Sequence, residues 1–373
     1  MRHNFKIIQE INFTRQKNNM ISPGVLKKIL SAYELTDPAM LIVPYGKGLI
    51  NNTWKITIGS SEYILQKINE SVFEKPLDIE YNIHLIAEYL KENHPGYLFT
   101  IPVKTKKQEE MICDQQGYFR VFPFIKNSYT INIASMPQQA FEAARQFGLF
   151  TEMLIKFPVI LLKKTIPDFH NLILRYQQFE EACKYGDPSR IKESASIIKF
   201  IRGHNNILKK FQLIQADPNF KIRVTHHDTK ISNVLFDKNG KGLCVIDLDT
   251  VMPGYFISDV GDMMRTYLSP VSEEEKDIKK IEVREDFFQA IVEGYLQQMS
   301  KHLSDAELKH FVFAGKFMIY MQAIRFLTDH LSNDKYYGAD YENQNFVRAN
   351  NQVTLLQRII DKKNILKQMI NHY

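Results

Sequence analysis

Apolar and polar positions recur along this chain with two different periods, and the change between them divides it. From Ser22 to about Leu35, apolar Val25, Leu26, Ile29 and Leu30 follow at helical spacing, with Ser22 placed to cap and Pro23 in the first turn. Beyond that helix the period falls to two. Met40–Tyr45, Thr53–Ile58 and Tyr63–Ile68 are predicted strands, separated by the flexible run Gly46–Asn52 and by Gly59–Glu62. Ile79, Ile83, Ile86 and Leu90 predict a helix from Pro76 to Glu92, and Thr100–Val103 and Gly117–Phe122 two further strands. After Pro123-Phe124-Ile125 the texture turns helical, over Pro137–Lys156, Asn171–Tyr185, Glu282–Met299 and Asp305–Leu331. Two short strands, Val234–Phe236 and Leu243–Ile246, flank the turn-rich Asp237–Gly242 and predict a hairpin. The expected fold is α+β and bilobal. A small antiparallel-sheet N-lobe covers residues 1–122, a larger, mainly helical C-lobe covers 123–373, and the cleft between two such lobes is a favoured ligand site.

Composition narrows the class. At 373 residues, 44% hydrophobic and 24% charged, the chain has the make-up of an ordinary globular protein of one large or two smaller domains. No apolar run reaches the ~18 residues of a membrane span, and the first ten residues lack a signal-peptide pattern, so a cytoplasmic protein without a membrane partner is expected. Cys113, Cys183 and Cys244 are odd in number and widely spaced, which fits reduced packing residues better than a disulfide or zinc framework. The net charge of +6, from 48 basic and 42 acidic residues, is too diffuse for a nucleic-acid stripe but suits a site for small polyphosphates.

The chemistry concentrates in His226-His227-Asp228-Thr229-Lys230-Ile231-Ser232-Asn233, followed by Val245-Ile246-Asp247-Leu248-Asp249. Phosphoryl transfer to a hydroxyl needs a carboxylate facing the nucleophile, oxygen ligands for the magnesium on the phosphates, and a cation over the phosphate charge. Asp228 is the candidate for the first, Asn233 and Asp247 for Mg²⁺, and Lys230 for the last. Singly, Asp228 could cap a turn and Asp247 could end a strand. In this order, flanked by strands, the His-x-Asp-x-Lys-x-x-Asn pattern outweighs those alternatives.

The segment resembles the catalytic loop of the protein-kinase-like fold, with Asp247 where a kinase carries its metal-binding Asp. Leu248-Asp249 in place of Phe-Gly is similar to the small-molecule branch, the aminoglycoside phosphotransferase and choline kinase superfamily. The longer strings Asp228–Val234, Val245–Gly254 and Asp259-Val260-Gly261-Asp262 resemble the N-acetylhexosamine 1-kinases, which phosphorylate the anomeric hydroxyl of N-acetylgalactosamine and N-acetylglucosamine. The resemblance runs from Gly46 to about Gln352. It implies direct in-line transfer from ATP, with Asp249 supporting the metal shell or the loop; Asp259 and Asp262 read as capping residues or partners of the loop.

The same resemblance implies a nucleotide site in the N-lobe. Gly46 and Gly48 lie between two strands, which disfavours a dinucleotide-binding fingerprint and favours a hairpin over triphosphate, completed by Asn51 or Thr53. Lys67 on the third strand would reach the phosphates, paired with Glu80 or alternatively Glu88, and Phe122 and Phe124 would border adenine at the hinge. For the acceptor, Thr165–His170 with Arg175, and Gln322–Asp329 with Tyr336-Tyr337, resemble hexosamine-kinase segments. His170, Arg175, Arg325 and Tyr336 are the substrate candidates, planar donors and an aromatic surface being what a sugar site requires. For Arg325 an ion pair with Asp329, one helical turn on, is the competing role. Rival functions are another small-molecule kinase of this fold, acting on an aminoglycoside, choline or homoserine, or a non-catalytic nucleotide-binding protein. The sequence leaves the oligomeric state, the preferred hexosamine and the phosphorylated hydroxyl open.

Overall fold

A computed structural model describes residues 21–46, 50–370 and 373, which form two compact units. Of these described residues, one unit holds those from 21 to 87 together with 100–126; the other holds 88–99 and those from 127 onward.

The first unit is built on a five-stranded antiparallel sheet in the order β1–β2–β3–β5–β4: Leu41–Pro44, Asn52–Ile58, Ser61–Lys67, Gly117–Pro123 and, at the edge, Ile112–Asp114. Helix α1, Pro23–Ala32, starts as its sequence predicts, the Ser22 hydroxyl accepting the Val25 amide at 3.4 Å and Pro23 in the first turn. Strand pleat then sorts the sheet's side chains. Ile56, Leu65, Phe119 and Val121 share one face and pack with Ile29, Leu30, Tyr33 and Leu35, all buried. Helix α2, Pro76–Asn93, follows the predicted apolar spacing. The expected strand at Thr100–Val103 is irregular chain instead. Pro102 has no amide to give a ladder, only Val103 donates to β5 (to the Val121 carbonyl, 2.7 Å), and the edge position is taken by Ile112–Asp114.

The second unit is mainly helical: α3 Pro137–Met153, α4 Leu172–Tyr185, α5 Pro188–Glu193, α6 Ala195–Gly203, α7 Asn206–Ala216, α8 Phe256–Tyr267, α9 Glu285–Met299, α10 Asp305–Leu308, α11 Phe311–Leu331, α12 Gln344–Asp361 and α13 Lys363–Gln368. α11 is apolar nearly all round and correspondingly buried, the central rod of the unit. α3 and α9 cross so closely that a side chain on Gly294 would collide with the Phe141 carbonyl. The single helix expected over Asp305–Leu331 is broken at Lys309–His310. Ser304 and Glu307 form a capping box, and Glu307 also takes Arg223 (2.5 and 2.9 Å), which commits that first turn to the neighbouring strand. Two small sheets complete the unit. β6 (Ser128–Tyr129), β8 (Val234–Asp237) and β9 (Gly242–Val245) form one, containing the predicted hairpin; β7 (Ile222–Thr225) pairs with β10 (Met252–Tyr255) in the other. The expected α+β class is what the structure has. Among the described residues no helix is long and apolar enough to cross a membrane, and the three cysteines are free thiols.

Candidate active site

The chain between β7 and β8 forms a loop, residues 226–233, whose shape is over-determined. His227 turns it with a left-handed φ of 67°. The Asn233 side-chain nitrogen closes it, donating to the Asp228 carbonyl at 2.9 Å and to Asp228 Oδ2 at 3.1 Å. The Ile246 amide donates to the Asn233 carbonyl at 2.9 Å, carrying the β8–β9 ladder one step further and bringing Asp247 to the position that follows it. Asp247 also has a left-handed φ, 61°. Two non-glycine residues in that region cost about 1–3 kcal/mol each and persist where surroundings enforce them, typically at functional sites. Gly254 of β10 is required here, because a Cβ on it would lie 2.5 Å from His227 Nε2.

Two carboxylates from the first turns of α8 hold the loop from beneath. Asp259 accepts the amides of His226 (3.0 Å) and His227 (2.7 Å); Asp262 accepts the Thr229 amide at 2.9 Å. The Thr229 hydroxyl bonds the Asp259 carbonyl, and Tyr267 donates its hydroxyl to the Thr229 carbonyl at 2.5 Å. Burial pushes Asp259 up to about 7 despite the two amides, and pushes Asp262 up against the pull of Arg265. Asp228 experiences the same desolvation, yet Lys230, at 3.0 Å, and His226 outweigh it and hold its carboxyl below the ordinary value. The Asp228 charge in turn raises Lys230. Asp228 is thus an ionised carboxylate, half-buried, with one flank against a cation.

The donor chemistry fits a hard divalent cation. The amide nitrogen of Asn233 is committed to Asp228, which leaves its carbonyl oxygen as the side chain's acceptor, and Asp247, an exposed residue, follows the one whose amide bonds the Asn233 backbone carbonyl. Among the described residues no cluster of three or more His, Cys, Asp and Glu could hold a metal. Mg²⁺, which takes one or two protein oxygens and fills its shell with phosphates and water, asks for no such cluster. Asp249 is buried in the short turn Leu248–Thr250 that follows.

A second constellation adjoins the loop. His170 stacks on Phe169 (centroids 4.5 Å apart) and lies 5.1 Å from the His227 ring. The Arg325 guanidinium sits 5.2 Å over Phe169 and donates to Tyr336 Oη at 3.5 Å and to Gln322 Oε1 at 3.3 Å. The competing Arg325–Asp329 pair does not form: Asp329 accepts the amides of Tyr336 and Tyr337 (2.7 and 2.9 Å) and so aims the loop that carries them. Arg175, Arg325, Thr328, Tyr336 and Tyr337 line a cavity of about 590 Å³. In its wall Arg175 Nε and Thr328 Oγ1 are buried without a hydrogen-bond partner, as is His170 Nδ1 nearby. Burial, and then its neighbour Arg325, lowers Arg175; burial keeps His170 neutral. The four acceptor candidates, His170, Arg175, Arg325 and Tyr336, are therefore brought together.

The nucleotide candidates of the first unit are less uniform. Gly46 has φ 76°, Gly48 lies outside the described residues, and Asn51 accepts the Asn69 amide at 3.0 Å. Strand register sets Thr53 and Phe122 on the sheet face opposite α1, whereas Lys67, opposite Phe119, lies on the α1 face, its ammonium 6.0 Å from the Phe119 ring. The pleat thus separates Lys67 from the residues it was expected to join. Glu80 is not its partner: it accepts the Glu110 amide at 3.0 Å, and no ion pair joins it to Lys67 among the described residues. Nor does any ion pair join Glu88 to Lys67 among the described residues. The cations on the Thr53 face are Arg120, bonded to Gln66 Oε1 (2.8 and 3.1 Å) and stacked over Phe122, and Lys55, 4.0 Å over Phe124. Period-two counting from Thr53 would have found Lys55, whereas Arg120 needed the register of two strand pairs.

A loop carboxylate held against a lysine, with an adjoining cavity lined by arginine, threonine and tyrosine, fits a small-molecule kinase. The profile of the APH phosphotransferase enzyme family matches residues 42–296, and the chain belongs to that family. Solved structures agree in fold across nearly all of the chain. The microcompartment-associated aminopropanol kinase is 12% identical with a TM-score of 0.63, covering 92% of this chain and 98% of its own. A choline/ethanolamine kinase family protein from Mesorhizobium loti is 12% identical with a TM-score of 0.61, covering 95% and 100%. A spectinomycin phosphotransferase solved with ADP and spectinomycin is 12% identical with a TM-score of 0.58, covering 92% and 99%.

Proposed function

We propose that this kinase transfers the γ-phosphoryl group of ATP to the anomeric hydroxyl of an N-acetylhexosamine, GalNAc or GlcNAc, giving the sugar 1-phosphate. The observation that carries the proposal is the run of planar donors and rings, Tyr336–Arg325–Phe169–His170, that ends against His227 of the Asp228 loop. Planar guanidinium and phenol donors with aromatic faces suit a neutral polyhydroxyl acceptor, and the cavity sets Arg175, Arg325 and Lys335 against Glu181, Asp187 and Asp329, a lining with no excess of either sign. Asp259 and Asp262 offer a cationic acceptor nothing, since both are taken by loop amides. ADP in the spectinomycin enzyme supports ATP as the donor.

In this mechanism Asp228 accepts the hydrogen bond of the acceptor hydroxyl and orients its oxygen for in-line attack. Held below the ordinary carboxylate range, it cannot strip the proton beforehand and takes it late, as bond formation acidifies the hydroxyl. Lys230 offsets charge on the transferred group. Asn233 and Asp247 would hold Mg²⁺, which neutralises phosphate charge when bound. Most of the acceleration then rests on positioning and preorganised charge.

The test is a panel of N-acetylhexosamines, their methyl glycosides, choline, homoserine and an aminoglycoside with MgATP, the products read by phosphorus NMR. The proposal requires sugar 1-phosphate from the free hexosamines and none from the methyl glycosides. Phosphorylated methyl glycosides, or turnover confined to the amines, would overturn it.

A further inference from the structure

We infer that Glu273 is a positioning residue that ties the wall of the acceptor cavity to the Asp228 loop; the acceptor part of this inference rests on the function proposed above. Glu273 lies on the connection after α8, and its two oxygens face opposite ways. Oε2 accepts Arg265 Nη1 at 2.7 Å, and Arg265 Nε donates at 2.8 Å to Asp262 Oδ1. The other oxygen of Asp262 holds the Thr229 amide, next to Asp228. Oε1 of Glu273 takes both Nε (3.1 Å) and Nη2 of Arg348. The Arg348 guanidinium lies 3.7 Å over Phe326 and 5.3 Å from Tyr337, which lines the cavity and accepts the Gln322 amide that also engages Arg325. Charges alternate along the chain Asp262–Arg265–Glu273–Arg348, so each link offsets the desolvation of its neighbours.

Three features separate this from an incidental surface pair. Arg265 and Arg348 are nearly buried, at 7% and 11% side-chain exposure, so neither finds full solvation without Glu273. Burial would raise the Glu273 carboxyl, but Arg265 and Arg348 hold it down at about 2, leaving it ionised throughout the working range. The connection itself is pinned by one face of α12. Gln344 bonds the Glu274 side chain (3.0 Å), and Asn351 bonds the carbonyls of Ser272 and Glu275 (3.1 and 3.3 Å); Arg348 and Asn351 follow Gln344 by four and seven residues along the helix. Glu273 is therefore aimed by its backbone at two guanidiniums, one serving the loop and one backing the cavity.

Hydrogen exchange and kinetics on the full-length protein test this with Glu273→Gln, Arg348→Gln and the double variant, each first shown to be folded by circular dichroism. Glu273→Gln should speed amide exchange by at least about threefold in both segments 226–233 and 334–341, and Arg348→Gln in 334–341 alone. With acceptor, Glu273→Gln should lower kcat and raise the acceptor KM, costing at least about tenfold in kcat/KM at unchanged nucleotide affinity. Arg348→Gln should raise KM with kcat within about twofold, and the double variant should be no worse than Glu273→Gln, since both break one path. Faster exchange on one side only in Glu273→Gln, or effects of the two substitutions that multiply, would overturn the inference. If the wild-type protein phosphorylates no hexosamine, the proposed function fails, while the exchange pattern still decides the role of Glu273. If Glu273→Gln does not fold, the same comparison is read from Arg348→Gln, in which exchange confined to 334–341 upholds the link and exchange unchanged there refutes it.

Discussion

Asp259 carries a cost that can be measured. It is 2% exposed, and burial lifts its carboxyl from 3.8 to about 7 although two loop amides point at it. The sign follows from linkage. Because the folded value lies above the unfolded one, the group's stabilising contribution is complete below 3.8 and is lost as pH rises to about 7, amounting to about 4 kcal/mol in all. By about pH 5.5 the unfolded carboxyl is already ionised, so about 2 kcal/mol of the loss remains to appear by about pH 8.5. In Asp259→Ala that slope disappears, while two buried amides lose their acceptor at about 1–3 kcal/mol each. Urea unfolding followed by circular dichroism at the two pH values should show the wild-type protein losing about 2 kcal/mol more than the variant on going to alkaline buffer. The variant should be the less stable of the two at acid pH, and its His226 and His227 amides should exchange faster. Parallel stability curves, or unchanged protection of those amides, would refute both the buried charge and its grip on the loop.

Three other substitutions probe separate parts of the account. Gly254→Ala drives a methyl onto the His227 ring and should cost about 1–3 kcal/mol in urea unfolding, with a fall in kcat as the loop shifts; a silent variant would mean that the ring has room to move. Glu307→Ala leaves Arg223, 8% exposed, unpaired beside β7 and should lower stability by about 3–5 kcal/mol by the same method; a loss below 1 kcal/mol would show that water reaches the site. Arg325→Leu should raise the acceptor KM by about tenfold or more and leave nucleotide affinity unchanged, as isothermal titration and steady-state kinetics would report. An unaltered KM would detach the cavity from the acceptor.

Local sequence carried much of this architecture. Ser22-Pro23 announced α1, and the apolar spacing of Ile79 to Leu90 announced α2. The Asp237–Gly242 turn between two apolar runs announced the β8–β9 hairpin. The loop was legible because Asp228, Lys230 and Asn233 lie within six residues, a spacing that short-range bonds can close. What sequence hid depends on contacts made far along the chain. The edge strand Ile112–Asp114 is three residues long and forms because β5 is there to pair with it. Lys67 and Gln66 are adjacent, yet the pleat sends them to opposite faces, and only the register with Phe119 and Arg120 says which. Arg265 is one turn from Asp262 and could have been paired with it. Glu273 and Arg348 are 75 residues apart, and their bond depends on how α12 packs.

The central claim is that Asp228 receives the proton of an alcohol that attacks the γ-phosphoryl group, and single-turnover transfer from γ-labelled MgATP tests it directly. Asp228→Asn should bind nucleotide with wild-type affinity and transfer label to the acceptor at least about a hundredfold more slowly. Transfer at the wild-type rate would contradict the claim.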